Sequence, residues 1–204
     1  MKNKTDKSTE EKILDAAHRI FTQKGFAATR MQFVADEASI NKSLLHYYFR
    51  SKDKLFHAVM IDAMQNVFQS VNSIFESDLP LFDKIEQFVS FYIDHISKHP
   101  YLPAFVINEI NREPNYVVNF ISQLKPKPNP EKLFSQIKSE IKNGSIKPTD
   151  PKQFFINMMS LCVFPFIAKA MIQNMLHIND KAYAAIIEQR KKDVSKFIID
   201  SIKK

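Results

Sequence analysis

The sequence predicts an all-α fold, and its composition gives the first reasons. Only two of the 204 residues are glycine, whereas Lys, Glu, Gln, Ile, Leu, Phe and Met dominate. This composition suits helices, and the scarcity of glycine removes the usual turn residues of β-hairpins. Hydrophobic residues make up 45% of the chain, which is ample for a buried core.

The first helix is predicted from Ser8 to Gly25. Ser8 and Glu11 have the spacing of a capping box, and Gly25 provides the C-terminal stop. Apolar residues recur along this segment at helical spacing, which predicts one buried face. These residues are Ile13, Leu14, Ala17, Ile20 and Phe21.

Two short helices are predicted next, over 31–38 and 42–48, with Thr29 as the cap of the first. Only three residues separate them, which is typical of a helix-turn-helix. In such a motif Ala35 provides the close contact between the helices. Ser39 then occupies the turn, where glycine is the most common residue.

The second short helix carries large side chains on two faces. Leu45 and Phe49 fall on its inner side, together with Ile40 from the turn. With Leu45 inward, a rotation of about 100° per residue turns its neighbours toward the flanks and the outside. These neighbours are Lys42, Ser43, Leu44, His46 and Tyr47, with Tyr48 at the edge. Such side chains can contact base edges or phosphates in the major groove of DNA.

A long fourth helix is predicted from Ser51 to about Glu76. Its free N-terminal amides, with Lys52 beside them, form a candidate phosphate site. The net charge is +7, and residues 1–56 hold eleven Lys and Arg against seven Asp and Glu. This concentration of positive charge is expected of a nucleic-acid contact, although a solvated face is the alternative.

The rest of the chain is predicted to form further helices, broken by proline-containing segments at 126–130 and 146–151. They cover 80–98, 101–111, 114–124, 130–143, 150–177 and 180–203. Pro165 is expected to kink its helix and to free the carbonyl near Leu161 for a ligand or a neighbour. We place a functional boundary near residue 50, with residues 1–50 binding DNA and 51–204 forming the second domain.

Several kinds of protein are disfavoured. Cys162 is the single cysteine, so a disulfide framework and a CxxC motif are excluded, and an inert core thiol is expected. The polar N-terminus is followed by no apolar segment of the secretory kind. The most apolar run, 154–168, is too short and too interrupted to cross a bilayer. We therefore expect a cytoplasmic protein.

His95 and His99 have the i, i+4 spacing of two metal ligands. No third ligand is evident nearby, so hydrogen-bonded or solvated histidines are preferred. A Ser-His-Asp order and a glycine-rich phosphate loop are both missing from the sequence. We therefore predict no metal, no cofactor and no enzyme activity.

Residues 13–60 resemble the DNA-binding domain of the tetracycline-repressor (TetR) family of bacterial transcription regulators. The shared anchors are ILDAA, F..KG, AT, VA..A and YYF.SK..L, in order and at matching spacing. The resemblance implies that Thr29, Arg30 and Gln32 touch bases or backbone and that Lys52 touches a phosphate. The full candidate DNA-binding set is Thr29, Arg30, Gln32, Lys42, Ser43, Leu44, His46, Tyr47, Tyr48 and Lys52. Ser39, Leu44 and His46 depart from common family residues, so the operator sequence is not implied.

The resemblance also implies that the later helices bind a ligand and form a homodimer. The candidate pocket residues are Phe88, Phe91, Tyr92, Phe105, Phe120, Met158, Cys162 and Phe166, with ordinary core packing as the alternative for each. The candidate dimer residues are Phe164, Met171, Tyr183, Ile187, Val194, Phe197 and Ile198, with packing inside one chain as the alternative.

The expected function is a repressor that binds a palindromic DNA operator as a homodimer and responds to a small apolar or amphipathic effector. Activation of transcription is the less favoured outcome. The main alternative is a DNA-binding architectural module, or a protein-interaction module, that senses no ligand. An enzyme acting on apolar ligands would need a convergent polar site, which the sequence does not indicate.

Overall fold

The computed structural model describes residues 8–100, 102–104, 106–107 and 121–204, and their fold is all-α, as predicted. The helices are α1 (Thr9–Ala28), α2 (Met31–Glu37), α3 (Lys42–Tyr48), α4 (Lys52–Glu76), α5 (Leu81–Lys98), α6 (Glu131–Lys142), α7 (Pro151–Ile167), α8 (Lys169–Met175) and α9 (Asp180–Ile202). The predicted helices over 101–111 and 114–124 fall largely on residues outside those described.

The chain forms two compact units, Met1–Gln65 and Asn66–Lys204. The predicted boundary near residue 50 lies at the start of α4, whereas the two units divide inside that helix. The reason is that the first part of α4 belongs to the core of the first unit. Its Phe56 is buried and meets Phe21 of α1 edge to face, with 4.8 Å between the ring centroids.

Helix α1 begins with the predicted capping box. The Ser8 hydroxyl accepts a hydrogen bond from the Glu11 amide at 3.2 Å, and the Glu11 carboxylate accepts one from the Ser8 amide at 2.8 Å. The predicted stop, Gly25, interrupts the helix at φ 72° and ψ 168°, a conformation that is essentially restricted to glycine. Helical structure resumes after it and ends at Ala28, three residues beyond the predicted end.

The second unit is built around α5 and α9, with α7 packed against both. Phe88, Val89 and Ile93 of α5 are fully buried, and the second part of α4 adds Val71 and Phe75 to the same core. Burial of each large apolar side chain contributes about 1.5–3 kcal/mol. This core therefore holds the end of α4 in place within the second unit.

The apolar segment 150–177 forms two helices instead of the single kinked one predicted. Pro165 lies inside α7, and the break follows at Ala168. Helices α7 and α8 meet at an angle of 74°. Proline has no N–H to donate, so the carbonyl of Leu161 is freed. The Arg190 guanidinium of α9 donates to that carbonyl from two nitrogens, at 2.9 and 3.3 Å, and the Tyr183 hydroxyl donates to the Pro165 carbonyl at 2.7 Å. The freed carbonyl thus serves a neighbouring helix.

Helix α7 buries Phe154, Met158 and Cys162 in the core of the second unit. In the part of the chain that the structure describes, no single helix is both long and apolar enough to cross a membrane. Helices α7 and α8 meet that criterion only when they are taken together across their bend.

Candidate functional site

The turn between α2 and α3 has the geometry of a helix-turn-helix. Ser39 adopts φ 56°, the left-handed conformation that a glycine would take more easily. The Ile40 amide donates to the Ala35 carbonyl at 3.0 Å, and Ala35 and Leu45 are completely buried between the helices. Asn41 caps α3 by accepting a hydrogen bond from the Leu44 amide at 2.7 Å. The predicted roles of Ala35, Ser39 and Leu45 are confirmed.

Helix α3 leaves one polar and aromatic face exposed. Lys42, Ser43 and His46 are exposed, and Tyr47 is the most open of the large side chains here, with 80% of its surface accessible. Tyr48 is partly exposed and meets the Tyr47 ring edge to face at 5.5 Å. Leu44 is half-buried and lies at the margin of this face. We call the side chains of residues 42–44 and 46–48 the α3 face.

The start of α2 adds two more exposed polar side chains. The Arg30 guanidinium lies 6.0 Å from the centroid of the Phe33 ring, and the Gln32 amide donates to the Asp36 carboxylate at 2.7 Å. Both Arg30 and Gln32 are exposed, so both are accessible to a partner. The predicted cap at Thr29 is not used, because Arg30 is the residue at the N-cap and makes no side-chain capping bond.

Two of the candidate DNA contacts are engaged inside the first unit instead. Thr29 is buried, and its hydroxyl donates to the Gly25 carbonyl at 2.7 Å. Its side chain is therefore not available to DNA in this structure. The Lys52 ammonium donates to the carbonyls of Phe26 at 3.0 Å and Ala27 at 3.4 Å. It also lies 4.3 Å from the centroid of the Phe26 ring.

The start of α4 remains suited to an anion. Ser51 caps the helix, since its hydroxyl accepts a hydrogen bond from the Lys54 amide at 3.2 Å. Lys54 and Arg50 are both exposed. The positive end of the helix dipole and these two cations favour a phosphate at this position.

A narrow apolar cavity of about 50 Å³ lies within the second unit. Among the predicted pocket residues, Phe88 and Tyr92 line it, and burial raises the pKa of the Tyr92 hydroxyl. Phe91, Met158, Cys162 and Phe166 belong to the core or its margin and do not line this cavity, whereas Phe105 and Phe120 lie outside the described residues. The full lining consists of Val67, Phe68, Val71, Phe75, Phe88, Tyr92, Pro128, Asn129, Pro130, Phe155 and Met159.

The α4 wall of this cavity was not predicted from the sequence. Phe68, Val71 and Phe75 continue the apolar stripe of α4 into the second unit, and that stripe was the available signal. Asn72 was not predicted either; it is buried and forms two hydrogen bonds with the proline-containing segment opposite. The Asn72 amide donates to the Lys127 carbonyl at 2.7 Å and accepts from the Asn129 amide at 2.9 Å.

The end of α4 is held by a buried lysine. The Lys84 ammonium of α5 donates to the Phe75 carbonyl at 3.0 Å and to the Gln136 amide oxygen at 2.7 Å. Burial lowers the pKa of Lys84, and the nearby Lys132 charge lowers it further. The Lys132 ammonium itself donates to the Glu76 carbonyl. Two lysines therefore satisfy carbonyls at the negative end of the α4 dipole.

The candidate dimer residues divide by exposure. Tyr183, Ile187, Val194 and Ile198 are buried in the core of their own chain, so the prediction that they lie at an interface needs correction. Phe164, Met171 and Phe197 are exposed. The exposed apolar side chains of α7, α8 and α9 and the turn after α8, which we call the exposed apolar set, are Ile156, Phe164, Ile167, Met171, Met175, Leu176, Ile186 and Phe197.

His95 and His99 stack on each other, with 4.2 Å between ring centroids and 18° between ring planes. Within the described ranges, no group of three or more potential metal ligands comes together. Cys162 is fully buried, and burial raises its pKa to about 12. The predicted inert core thiol is consistent with this environment.

The geometry of α2, the turn and α3 defines the class of protein. The motif has a tight turn at Ser39 and a buried inner side at Leu45, and its second helix exposes a polar and aromatic face. These are the features of a helix-turn-helix DNA-binding protein.

Comparisons with known proteins specify this class further. The family described as bacterial regulatory proteins, tetR family, matches residues 13–59. An HTH-type transcriptional regulator from the lacX 3′ region of Lactococcus lactis subsp. lactis is 30% identical over 66% of this chain and 67% of its own length. The HTH-type transcriptional regulator YhgD of Bacillus subtilis (strain 168) is 28% identical over 74% of this chain and 78% of its own length. The chain belongs to the TetR family of bacterial transcription regulators, which confirms the resemblance.

The fold agrees with solved structures over nearly the whole chain. A transcriptional regulator of the TetR/AcrR family from Thermobifida fusca YX-ER1 superimposes with a TM-score of 0.62, at 15% identity, over 91% of this chain and 96% of that one. The relatives found by sequence are transcriptional regulators.

Proposed function

We propose that this regulator is a cytoplasmic, ligand-responsive repressor that binds a palindromic operator as a homodimer and has no enzymatic activity. The observation that carries the proposal is the α3 face, where polar and aromatic side chains are exposed on the second helix of the helix-turn-helix. Tyrosine, which occurs twice on this face, is enriched at interfaces because its ring is apolar and its hydroxyl group forms hydrogen bonds.

The α3 face matches the chemistry of the major groove. His46, Ser43 and Lys42 offer hydrogen bonds to base edges or phosphates, and Leu44 offers an apolar contact for a thymine methyl group. Tyr47 and Tyr48 present both a ring and a hydroxyl group. Arg30 and Gln32 extend this surface at the start of α2, so these eight residues remain our proposed DNA contacts.

We propose that the exposed apolar set binds a second copy of the chain. Phe197 and Met175 expose 66% and 71% of their surfaces, which is costly in water for two large apolar side chains. A two-fold dimer buries the same patch on both copies. It also presents two α3 helices to one face of DNA, about 34–36 Å apart when the half-sites are separated by one turn.

The effector proposal starts from the size of the cavity. A volume of about 50 Å³ is well below the roughly 150 Å³ of a cavity that binds benzene. An effector in this position must therefore widen the space between its walls. One wall is α4, through Val71 and Phe75, and another is the segment that Asn72 holds.

Widening the cavity is a way for the effector to act on DNA binding. Helix α4 continues from this wall into the first unit, so a conformation with α4 displaced differs from the present one in both units. An effector that binds only the displaced conformation shifts the equilibrium toward it, with a coupling of about 1–3 kcal/mol. The apolar lining favours an uncharged, largely apolar effector.

The operator is tested by selection from a pool of random-sequence duplexes. Enrichment of one palindromic site supports the proposed repressor. Flat enrichment, with affinity that falls steeply as salt is raised, supports an architectural DNA-binding role instead. Sedimentation of the protein with and without the selected duplex then counts the chains bound per site, and one chain per palindrome contradicts the dimer.

The effector is tested by analysing what co-purifies with the protein. Organic extracts of freshly purified wild-type protein are compared by mass spectrometry with extracts of Val71→Phe, which fills the cavity. A compound present only in the wild-type extract, and able to release the selected duplex, supports the proposal. Equal amounts in both extracts place the effector elsewhere. Ile85→Val, a change in the same core away from the cavity lining, is the matched control.

A further inference from the structure

The walls of the cavity in the second unit are rich in aromatic rings. Five of the eleven described side chains that line it are aromatic, whereas aromatic residues make up 12% of the chain. Phe68 and Phe75 come from α4, Phe88 and Tyr92 come from α5, and Phe155 comes from α7. Each of the three helices that border the cavity therefore contributes at least one ring.

Three of these rings form a stacked column. The centroids of Phe75 and Phe88 lie 5.3 Å apart with 20° between the ring planes, and those of Phe88 and Tyr92 lie 5.3 Å apart with 18° between the planes. Phe155 meets Phe75 edge to face, with 6.3 Å between the centroids and 72° between the planes. Offset stacking and edge-to-face packing are the two arrangements that aromatic pairs prefer. The wall already uses both arrangements, so a further ring that enters the cavity meets neighbours of the same kind.

The rest of the lining offers no partner for a charged ligand. None of the described side chains that line the cavity is charged. The polar groups of Asn129 bond locally, because its backbone amide donates to the Asn72 side chain at 2.9 Å and its side-chain carbonyl accepts from the Glu131 amide at 3.3 Å. Met159 adds a thioether sulfur, which contacts aromatic rings favourably. Since burial of an unpaired charge is costly, the lining favours an uncharged ligand.

The size of the cavity limits the thickness of a ligand. Its volume is about 50 Å³, so the walls must separate before an organic ring can enter. A planar aromatic ring is one carbon layer thick and needs only a carbon–carbon contact distance of about 3.5–4.0 Å on each face. A saturated ring is puckered and carries hydrogens above and below its mean plane, so it pushes the walls further apart. A flat ligand with few rings therefore requires the smallest displacement of the α4 wall at Val71 and Phe75.

We infer that this cavity selects an uncharged, planar aromatic ligand of one or two rings, which packs against Phe75, Phe88, Tyr92 and Phe155. The inference rests on the proposed function, in which the cavity receives the effector, and it names the chemical class of that effector. Each aromatic pair strengthens binding about two- to tenfold beyond the burial of its area. A saturated ligand with the same carbon skeleton gains the burial of area but not this addition.

The experiment compares two compounds with one carbon skeleton, 2-naphthol and decahydro-2-naphthol. Both carry one hydroxyl group and are uncharged at neutral pH. The saturated compound has the larger apolar surface, so burial of area alone would favour it. The chain contains no tryptophan, so the fluorescence of 2-naphthol can be excited apart from that of the protein. The dissociation constant of 2-naphthol for the full-length protein is measured by titration, and that of decahydro-2-naphthol by competition against it.

Four variants locate the binding site. Phe155→Leu and Phe88→Leu each remove one ring from the wall, and Val71→Phe fills the cavity. Phe82→Leu is the matched control, because it removes a ring that packs on the same core but does not line the cavity. Circular dichroism and thermal unfolding confirm that each variant is folded at the assay temperature. Phe155 is only partly buried, so Phe155→Leu decides the matter if Phe88→Leu fails to fold.

We expect 2-naphthol to bind the wild type at least about tenfold more tightly than decahydro-2-naphthol. Phe155→Leu and Phe88→Leu should each lower this preference about fivefold, because each removes one aromatic neighbour. Phe82→Leu should keep the full preference. Val71→Phe should remove measurable binding of both compounds, because its ring occupies the cavity.

Three results would overturn the inference. Equal or tighter binding of decahydro-2-naphthol means that the cavity selects by apolar area alone, and the proposed effector site then stands without an aromatic preference. Wild-type binding of both compounds to Val71→Phe places them outside the cavity. Failure of both compounds to bind the wild type means that the cavity admits no ring.

The effect of 2-naphthol on the selected duplex is measured in parallel and tests the proposed function separately. We expect 2-naphthol to weaken DNA binding by the wild type and to have no effect on Val71→Phe. Selective binding of 2-naphthol in the cavity with full affinity for the duplex would support the aromatic preference and contradict the proposed coupling between the cavity and DNA.

Discussion

Helices α3 and α9 both separate a buried stripe from exposed side chains, but the exposed side chains differ in chemistry. On α3, Leu45 is buried, while Lys42 and Tyr47 are exposed and carry polar groups. On α9, Ile187 is buried, while Phe197 is exposed and carries none. Polar groups on α3 suit a hydrated, charged partner such as DNA, whereas bare apolar surface on α9 suits another apolar surface.

On both helices the candidate partner surface lies outside the regular apolar stripe. The regular apolar stripe goes into the core of the same chain, because burial of that stripe is what stabilises the helix. The large side chains that break the periodicity are left outside. On α3 these are the residues proposed to bind DNA, and on α9 they are the residues proposed to bind a second copy.

The largest expected effect is on the alkylation rate of Cys162, which lies on the buried side of α7. Cys162 is buried with a pKa of about 12, so at pH 8 only about one thiol in ten thousand is ionised. We expect alkylation by iodoacetamide to be about a thousandfold slower than in urea, where the thiol pKa returns to about 8.5. Because pH 9 is still far below the folded pKa, the native rate should rise about tenfold from pH 8 to pH 9.

Mass spectrometry of timed samples gives both rates. The control is the double variant Cys162→Ala, Lys152→Cys. Its single thiol lies at an exposed position of the same helix. That control should react at nearly the same rate with and without urea. Equal native and urea rates for Cys162 would mean that the inward stripe of α7 is open to solvent.

The next largest effect is expected on self-association, through the exposed side of α9. Phe197→Glu places a charge in the proposed dimer interface, and burial of an unpaired charge costs more than about 3 kcal/mol. Self-association measured by sedimentation should weaken more than about a hundredfold, while the free energy of unfolding of the monomer stays the same. Lys196→Glu, an exposed neighbour that gains even more negative charge, is the control. Unchanged self-association of Phe197→Glu would remove Phe197 from the interface.

The inward residue of α9 should behave in the opposite way. Ile187→Ala leaves a cavity in the core and should lower the free energy of unfolding by about 2–3 kcal/mol in urea titrations. At temperatures where the variant is folded, its self-association should match that of the wild type. A variant that is fully stable yet monomeric would reverse the assignment of Ile187 and Phe197.

The sequence was sufficient to predict α1 to α4 and the inner side of α3, because caps, turn residues and helical spacing are local signals. It was not sufficient to predict the contacts of the Lys52 and Thr29 side chains. Their partners are carbonyls at the end of α1, and which carbonyl a lysine reaches from 26 residues away is decided by tertiary packing. Both residues matched a family motif, but the structure shows an internal contact for each.

The same limit applies to α9 and to the cavity. Tyr183, Ile187, Val194, Phe197 and Ile198 were predicted together as interface residues, because helical spacing does not indicate which of them the same chain covers. Exposure in the structure separates Phe197 from the other four. For the cavity, the candidate pocket residues were all taken from later helices, so the wall formed by Val71 and Phe75 of α4 was not predicted, although both residues continue the apolar stripe of that helix.

The smallest effect, and the most direct test of the α3 face, is the loss of the Tyr47 side chain. Tyr47→Ala should weaken binding to the selected operator by about 1–2 kcal/mol. The free energy of unfolding should hardly change, since 80% of the side chain is already in water.

Tyr47→Phe separates the contribution of the ring from that of the hydroxyl group, because it keeps the ring and removes only the hydroxyl group. Full affinity in Tyr47→Phe and reduced affinity in Tyr47→Ala would indicate ring contact with DNA, whereas equal losses would indicate a hydrogen bond. Wild-type affinity in both variants would leave the exposed ring on α3 without a role in DNA binding, and the contrast with α9 would then no longer hold.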